Sequence, residues 1–234
     1  MSNESGELNA GFFKRMRQGL PWIRVKTAIS LDGRTALNNG ESMWISCEES
    51  RRDVQRWRAR SSAILTGIGT VLADNPRMTA RLEGLKRQPT KVIADSRWRT
   101  PADSRILADP AAVLIAGGSA VRVPDALVKT GVECLPVYST EGGLSLSDLL
   151  SKLGQLEVNE VQVEAGANLC GALLKEELVD EVLVYQAPLL LGDGGPGPFN
   201  FGPLESMQDR THLKVLETIQ LGQDIRIRLV PEYR

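Results

Sequence analysis

Short apolar stretches alternate with amphipathic ones along most of the chain. The apolar stretches are rich in Val, Ile and Leu and are bounded by polar or turn-forming residues, which predicts β-strands. They span residues 23–31, 62–66, 91–95, 112–116, 132–137, 160–164, 181–188, 212–219 and 225–230. The amphipathic stretches have helical periodicity. They predict helices over 47–60, 69–73, 124–130, 145–153 and 169–177.

This alternation of strands and helices with short links predicts an α/β fold. Such folds have a central, mostly parallel sheet with helices on both faces. The last two predicted strands follow each other through a short turn, so the sheet should be mixed, with an antiparallel edge. Neither repeats nor a low-complexity linker divide the chain, so we predict one domain over 22–234 after a tail or linker over 1–21. The Gly- and Pro-rich stretch 192–198 predicts a loop whose order is left open.

Composition narrows the class of protein. Among 234 residues, 28 Lys and Arg balance 29 Asp and Glu, which provides no overall field for nucleic acid or an anionic membrane. The sequence has no apolar run long enough to cross a bilayer, and no signal peptide. Cys47, Cys134 and Cys170 are far apart and His212 is the single histidine, which argues against disulfides and a zinc site. We expect a cytoplasmic protein with reduced cysteines and no metal.

The arginine-rich helix over 47–60 could contribute to an anion site. Ser46 and Glu49 have the spacing of a capping box, which places the helix start directly after Ser46. On a helical projection, Arg51 and Arg58 lie at the rim of the buried face. A guanidinium group at that rim suits a phosphate. Pairing with surface carboxylates is the commoner role of such arginines, and this alternative stays open.

The junction between the second predicted strand and the next helix could also bind an anion. Gly67 and Gly69 separate the two elements, and a helix N-terminus there would present backbone N–H groups. Thr70 and Asp74 lie four residues apart and so face the same way. A tight strand-to-helix turn explains the two glycines equally well, because a complete GxGxxG motif is missing.

A similar junction follows the predicted strand 160–164. Glu164 ends that strand, at the edge where open α/β sheets bind ligands, and its carboxylate could accept hydrogen bonds from ring N–H groups. Gly166 and Gly171 in the following turn and helix would let main chain approach a diphosphate. A third junction, over 116–119, is less distinctive and is better explained as a plain turn.

Other polar and aromatic residues have more than one interpretation. Lys26 and Asp32 are six residues apart and share a face if the first strand is regular, either as a buried ion pair or beside reacting atoms. Trp44 lies in a loop and could cover a planar ring, and residues 95–97 could meet a ribose or its phosphate. With no nucleophile–base pair in view, the sequence indicates a cofactor-dependent transfer, and hydride transfer fits.

From residue 25 to its C-terminus, the sequence resembles the reductase domain of the bifunctional riboflavin-biosynthesis deaminase/reductase. The matching motifs are SLDGRTA at 30–36, GES at 40–42 with Trp44-Ile45, RRD at 51–53, TGIGTVLAD at 66–74, Pro76 with Thr79 and Arg81, and VEAG at 163–166. The resemblance implies a dihydrofolate-reductase-like fold, NADPH as cofactor and a homodimer. It also implies reduction of the ribosyl group of 5-amino-6-(5-phosphoribosylamino)uracil to the ribityl group.

The resemblance also implies roles for individual residues. Substrate-binding residues would be Ser42, Arg58, Met78, Arg81 and Glu164. The two arginines would lie near the phosphate and Glu164 at the pyrimidine. NADPH-binding residues would be Trp44, Gly69, Thr70, Asp74, Ser96, Gly166, Ala167, Asn168, Leu169, Cys170, Gly171 and Ala172. Lys26 or Asp32 could position or protonate the ring-opened sugar as the catalytic residue.

The main departure from the bifunctional pattern concerns the deaminase domain. The HxE and PCxxC motifs of the zinc deaminase domain are missing, so we expect a reductase without deaminase activity, with a separate deaminase as a potential partner. Two rival functions stay open, a reductase of the same fold acting on another imine or a pterin, and a catalytically silent nucleotide-binding module. Arg58 together with Arg81 favours a phosphorylated substrate and so argues against the reductase of another substrate. Ser42 and Glu164, as substrate-side residues, argue against the nucleotide-binding module.

Overall fold

The computed structural model describes residues 9–108 and 111–233, so the first eight residues of the predicted tail over 1–21 lie outside the described residues. The helices are α1 (Ala10–Gln18), α2 (Glu48–Arg60), α3 (Ile68–Asp74), α4 (Asp125–Val128), α5 (Leu146–Gln155) and α6 (Ala167–Lys175), with a 3-10 turn at Met207–Asp209. The strands are β1 (Trp22–Ile29), β2 (Ala63–Gly67), β3 (Thr90–Ala94), β4 (Val113–Gly118), β5 (Glu133–Val137), β6 (Ser139–Thr140), β7 (Gly143–Leu144), β8 (Glu160–Val163), β9 (Glu181–Gln186), β10 (His212–Leu221) and β11 (Asp224–Glu232).

The chain divides into two compact units, each built from two separate stretches of sequence. Unit 1 consists of Met1–Trp22 and Trp57–Gln162, and unit 2 of Ile23–Arg56 and Val163–Arg234. Long-range contacts therefore join segments that are far apart in sequence within each unit. This interleaving has no signature in composition, because neither unit is bounded by a linker.

The strands of unit 1 follow the spatial order β8-β2-β3-β4-β5. The pairs β2–β3, β3–β4 and β4–β5 are parallel with unbroken register. Their central residues are buried, as is usual where both faces of a parallel sheet are covered. The core of this unit is formed by Ile64, Ile68, Val71, Met78, Ile93, Trp98, Ile106, Ile115 and Leu127.

Unit 2 contains the strands β10, β11, β9 and β1, in that spatial order. β1 pairs with β9 in parallel, whereas β11 is antiparallel to both β9 and β10. A two-residue turn joins β10 to β11, with Leu221 paired to Asp224 and Gly222 at a positive φ of 59°. That conformation favours glycine and matches the tight hairpin that the sequence predicts.

The predicted fold class is confirmed, since parallel strands and an antiparallel hairpin form a mixed sheet flanked by helices. Every predicted strand and helix is present, with ends that differ by at most two residues. Within the described residues, there is no helix long and apolar enough to cross a membrane. That part of the chain also lacks a group of three His, Cys, Asp or Glu side chains that could hold a metal ion.

The helix α1 was not predicted, because its sequence looks like part of a basic tail. Gly11 permits a close approach, since a Cβ atom there would clash with the main chain of Asn159. Arg15 Nε donates to Asn159 Oδ1 at 2.6 Å, and Gly19 ends the helix in the left-handed conformation. Contacts within unit 1 therefore stabilise this helix.

Candidate functional site

A pocket of about 190 Å³ in unit 2 brings together two of the predicted site residues, Ser42 and Trp44. Its lining is Leu37, Glu41, Ser42, Met43, Trp44, Ile45, Leu189 and Leu191. The wall is mainly apolar, with one hydroxyl and one carboxylate among the lining side chains. Trp44 is 68% exposed, so much of its indole ring is open to a ligand. Mainly apolar walls with few polar groups are typical of small-molecule sites.

Arg51 stacks on Trp44, a contact that the sequence did not predict. Its guanidinium carbon lies 4.6 Å from the Trp44 ring centroid, within the range of a cation–π interaction. Arg51 also donates a hydrogen bond to the carbonyl oxygen of Ser46. The exposed carboxylate of Glu48 is paired with Arg52, the residue after Arg51, instead of with Arg51. Arg51 therefore positions an aromatic side chain, which is neither of the two roles considered from the sequence.

The start of α2 differs by one residue from the capping-box prediction. The helix begins at Glu48, and the N–H of Cys47 donates to Asp224 Oδ2 at 2.7 Å. The thiol of Cys47 donates to the carbonyl oxygen of Leu221 at 3.0 Å. The residues before the helix are thus held by the hairpin turn of β10 and β11, a long-range contact that local spacing does not reveal.

Lys26 and Asp32 would share a face only if a regular strand contained both, and this condition is not met, because β1 ends at Ile29. Asp32 lies in the following turn, where it accepts a hydrogen bond from the Ser30 hydroxyl. It also accepts hydrogen bonds from the N–H groups of Leu191, at 3.1 Å, and Gly192, at 2.7 Å. These bonds, led by that from Ser30, hold the pKa of Asp32 below its ordinary value.

The Gly-rich loop that follows Leu191 is therefore anchored. Besides the bonds to Asp32, Arg34 Nη1 donates to the carbonyl oxygen of Gly195 at 3.1 Å. The N–H of Thr35 donates to the carbonyl oxygen of Pro196 at 2.9 Å. Because Leu189 and Leu191 line the pocket, the turn containing Asp32 fixes one of the pocket's walls.

Lys26 lies above a buried polar cluster in unit 2. Its Nζ is 5.6 Å from the ring centroid of Tyr185, whose hydroxyl donates to Asp53 Oδ2 at 2.8 Å. Arg226 donates to the same carboxylate oxygen at 2.8 Å. Burial and then the charge of Asp53 raise the pKa of Tyr185, so its phenol stays protonated at neutral pH. The hydrogen bond between Asp53 and Tyr185 thus fixes the aromatic ring on which Lys26 packs.

The junction after β8 only partly matches its predicted role. Glu164 is half-buried and follows the last residue of the strand. Gly166 is open, since a Cβ atom there would have nothing within 4 Å among the described residues. Gly171 is different, because a Cβ atom there would clash with the main chain of Asn200. The missing side chain of Gly171 thus accommodates a neighbouring loop, and a role of Gly171 near a diphosphate stays a prediction for its main-chain atoms.

Cys170 lies on the buried face of α6. It is 1% exposed, and its thiol donates to the carbonyl oxygen of Ala165 at 3.4 Å. Burial raises the pKa of the Cys170 thiol to about 11, so it is protonated and unreactive at neutral pH. A cofactor could therefore meet the first turn of this helix, and Cys170 could contribute only main-chain atoms.

In unit 1, the structure brings together two predicted substrate residues, Arg58 and Met78. Arg58 Nη1 donates to the carbonyl oxygen of Thr79 at 2.8 Å, and Nη2 lies 4.0 Å from Met78 Sδ. Met78 is buried in the core at a positive φ of 52°. Arg81, three residues later, is exposed. Arg58 is half-buried, as its predicted position at the rim of the helix requires. Its Nη1 group is used to bind the main chain of Thr79.

The junction after β2 is open as predicted. Gly67 is the N-cap of α3 in an extended conformation, without a side-chain cap among the described residues. A Cβ atom at Gly69 would also meet nothing within 4 Å there. Thr70 is half-buried and Asp74 exposed. The structure leaves room at Gly69 for a ligand.

The stretch 95–97 has a different role from the one considered. Asp95 is fully buried, and its Oδ2 accepts hydrogen bonds from the N–H of Thr100 at 2.7 Å and from its hydroxyl at 2.9 Å. It is therefore a structural residue rather than a ribose ligand. Ser96 is half-buried, and its carbonyl oxygen accepts from the N–H of Gly118 at 3.2 Å. Ser96 and the exposed Arg97 stay the candidates for a cofactor contact on this loop.

Comparison with known proteins places this geometry in a family. Residues 21–227 match the sequence model of the RibD C-terminal domain. The Riboflavin biosynthesis protein RibD of Escherichia coli K12 is 40% identical, over 98% of this chain and 65% of the relative. The chain therefore spans less than two thirds of that relative's length.

Two solved structures share the fold. One is form 1 of Acinetobacter baumannii RibD, which is 41% identical with a TM-score of 0.88, over 98% of this chain and 63% of the other. The second is a Thermotoga maritima diaminohydroxyphosphoribosylaminopyrimidine deaminase/5-amino-6-(5-phosphoribosylamino)uracil reductase, which is 26% identical with a TM-score of 0.82. This alignment covers 97% of our chain and 61% of the other. The fold is dihydrofolate-reductase-like, and the chain belongs to the RibD C-terminal domain family.

Proposed function

We propose that the chain catalyses NADPH-dependent reduction of the ribosyl group of 5-amino-6-(5-phosphoribosylamino)uracil to the ribityl group in riboflavin biosynthesis. The observation that carries this proposal is the match of residues 21–227 to the RibD C-terminal domain. The name of the Thermotoga maritima relative, which includes this reductase activity, supports the choice of substrate.

The described side chains suit a phosphorylated, pyrimidine-containing substrate. We assign Arg58 and Arg81 to the phosphate, because a guanidinium group pairs well with phosphate oxygens. Ser42 offers a hydroxyl in the wall of the pocket. Glu164 would accept hydrogen bonds from the pyrimidine. Because Met78 is buried against the core, its contact with the substrate would be made by main-chain atoms.

The residues assigned to NADPH fit an extended dinucleotide. Gly166 is the N-cap of α6, with no side-chain cap among the described residues, and the space beside it is open. A phosphate there could accept hydrogen bonds from the first N–H groups of the helix. Gly69 and Thr70 offer a second such turn, and Trp44 offers a flat ring face. The remaining assigned residues are Asp74, Ser96, Ala167, Asn168, Leu169, Cys170, Gly171 and Ala172. Of these, buried Cys170 and Gly171 would act through main chain only.

NADPH would supply a hydride to C1′ of the ring-opened sugar, which carries an imine. Lys26 is the stronger candidate to position or protonate that sugar, since it packs on the ring of Tyr185, which a hydrogen bond to Asp53 holds in place. Asp32 is better suited to another role. It already accepts hydrogen bonds from a hydroxyl and two N–H groups, and its lowered pKa makes it a poor proton donor.

The test is the decay of NADPH absorbance with freshly prepared 5-amino-6-(5-phosphoribosylamino)uracil. Wild-type protein should oxidise NADPH. Arg58→Ala should be much slower, whereas Arg56→Ala should match wild type, because Arg56 is exposed on the same helix. Absence of oxidation by wild type, with NADPH bound, would reject the proposal. Oxidation with a pterin or another imine would then favour a different reductase, and no oxidation with either would favour a nucleotide-binding module.

We further propose that the protein is a cytoplasmic homodimer and that a deaminase acts in the preceding step and produces its substrate. The deaminase proposal is supported by the name of the Thermotoga maritima relative, which includes both activities. Light scattering should give a mass near twice 25.5 kDa if the protein is a dimer. A mass of a single chain at micromolar concentration would contradict that part of the proposal.

A further inference from the structure

The loop between α3 and β3 contains a buried stretch that has no helix or strand to satisfy its main chain. Residues 75–89 are irregular, yet Met78, Thr79 and Ala80 are all buried. Buried N–H and C=O groups need hydrogen-bond partners, so side chains must provide them here.

Gln88 provides two of those partners through a single amide group. Its Nε2 donates to the carbonyl oxygen of Ala80 at 2.8 Å, and its Oε1 accepts from the N–H of Ala80 at 3.0 Å. The amide thus binds Ala80 as the backbone of a neighbouring β-strand would. Arg58 adds a third bond, to the carbonyl oxygen of the preceding residue, Thr79, at 2.8 Å. Two consecutive residues are held by three side-chain hydrogen bonds.

We propose that Gln88 is a positioning residue for the substrate phosphate, acting through Arg81. This inference rests on the proposed function. Arg81 follows Ala80 directly, so the path of the main chain at Ala80 sets where the Arg81 side chain begins. Gln88 fixes that path without contacting the substrate. A ligand-binding group held within a fraction of an ångström binds better than one that must be ordered during binding.

The chemistry of the amide explains why this position needs glutamine. Only a primary amide has both a donor and an acceptor in the arrangement that one residue's N–H and C=O require. Glutamate at neutral pH would keep the acceptor and lose the donor. Asparagine has the same group on a shorter side chain. Arg58, in contrast, can satisfy only carbonyl oxygens, so the two residues are not interchangeable.

The effect should appear in KM rather than in kcat. The phosphate is at the opposite end of the ribose from C1′, so an incorrectly placed Arg81 weakens binding without moving the reacting carbon. We expect Gln88→Ala to raise KM about 5-fold or more, since losing one to two neutral hydrogen bonds has an effect of this order. The value of kcat should stay within about 2-fold. Glu83→Gln, an exposed change in the same loop, is the control.

A double-mutant cycle separates positioning from general loss of structure. If Gln88 acts through Arg81, the Gln88→Ala change should have little further effect on KM in an Arg81→Ala background. Equal effects in both backgrounds would overturn the proposal. So would a lower kcat with unchanged KM. Should Gln88→Ala fail to fold, Gln88→Met keeps the length of the side chain, removes both hydrogen bonds without adding a charge, and supports the same cycle.

Hydrogen exchange provides a readout that does not depend on turnover. The N–H of Ala80 should exchange faster in Gln88→Ala than in wild type, and should stay protected in Glu83→Gln. Unchanged exchange at Ala80 would overturn the proposal even if KM rises. If wild type oxidises no NADPH with the substrate, the proposed function fails and the role in phosphate binding fails with it, whereas faster exchange would still show that Gln88 holds the loop.

Discussion

The two units hold their loops with opposite chemistry. In unit 2, the turn at Asp32 binds the loop after Leu191 through a carboxylate that is exposed to solvent. In unit 1, Arg58 and Gln88 bind the buried main chain of residues 79–80. A carboxylate titrates in mild acid, whereas an amide and a guanidinium group keep their protonation state over the whole range in which proteins are studied.

This difference indicates how each loop can respond. Water competes for an exposed hydrogen bond, so each contact of Asp32 contributes less to stability than a buried one. A buried N–H or C=O group has no such alternative, and the stretch around Thr79 should be rigid. The loop near the pocket is therefore held by bonds that respond to acid, and the segment before Arg81 by bonds that do not.

The largest effect is expected for Arg58→Ala. A hydrogen bond from a charged group contributes about 1.5–3 kcal/mol, which corresponds to roughly 10–150-fold in binding. The change also removes a proposed phosphate contact, so kcat/KM should fall by at least the upper part of this range. Steady-state NADPH oxidation measures it, with Arg56→Ala as the matched control. A decrease in kcat/KM of less than 3-fold would mean that the contact of Arg58 with Thr79 contributes little to activity.

A pair of glycine substitutions tests the same contrast between buried and open main chain. Gly171→Ala should lower the free energy of unfolding by about 1–3 kcal/mol, because the added methyl group would clash with the main chain of Asn200. Gly69→Ala should raise stability by roughly 0.5–1 kcal/mol, since it removes a helical glycine in open space. Urea denaturation measures both. Equal effects of the two changes would contradict the assignment of Gly171 to packing.

Asp32 should make its loop sensitive to acid. Its pKa in the folded protein lies below the ordinary value of 3.8, so its contribution to stability is complete above pH 3.8 and is lost as the pH falls through the folded value. Exchange protection of the Leu191 and Gly192 N–H groups should therefore decrease below about pH 4. In Asp32→Asn, protection should be lower at neutral pH and nearly independent of pH. Protection at Ala80 should not change in either protein.

The smallest effect is expected for Arg51→Ala, which removes the stack on Trp44. An exposed cation–π contact contributes about 0.5–1 kcal/mol, so NADPH affinity should fall by roughly 2–5-fold. Trp44 is the most exposed of the four tryptophans, so its emission should shift when the stack is lost. Unchanged emission and affinity would mean that Trp44 is held by other contacts. Arg52→Ala, on the exposed side of the helix, is the control.

Much of the fold could be predicted because it depends on local spacing. The apolar runs of the parallel strands, the hairpin turn at Gly222 and the buried Val54 and Trp57 on α2 follow from periodicity and from glycine's backbone freedom. The half-buried rim position of Arg58 followed from the same projection. The family motifs added candidate roles for residues such as Ser42 and Trp44, whose shared pocket is consistent with them.

The remaining features depend on contacts between residues far apart in the chain. Gly11 and Gly171 are glycines because other segments of main chain lie against them, and Asp32 holds a loop that begins about 160 residues later. Gln88 carries no motif, and its importance is visible only beside Ala80. Periodicity and turn chemistry act over a few residues, so the sequence sets the order and type of the elements. Which polar groups satisfy each other is set only when packing excludes water and brings distant segments within hydrogen-bond distance.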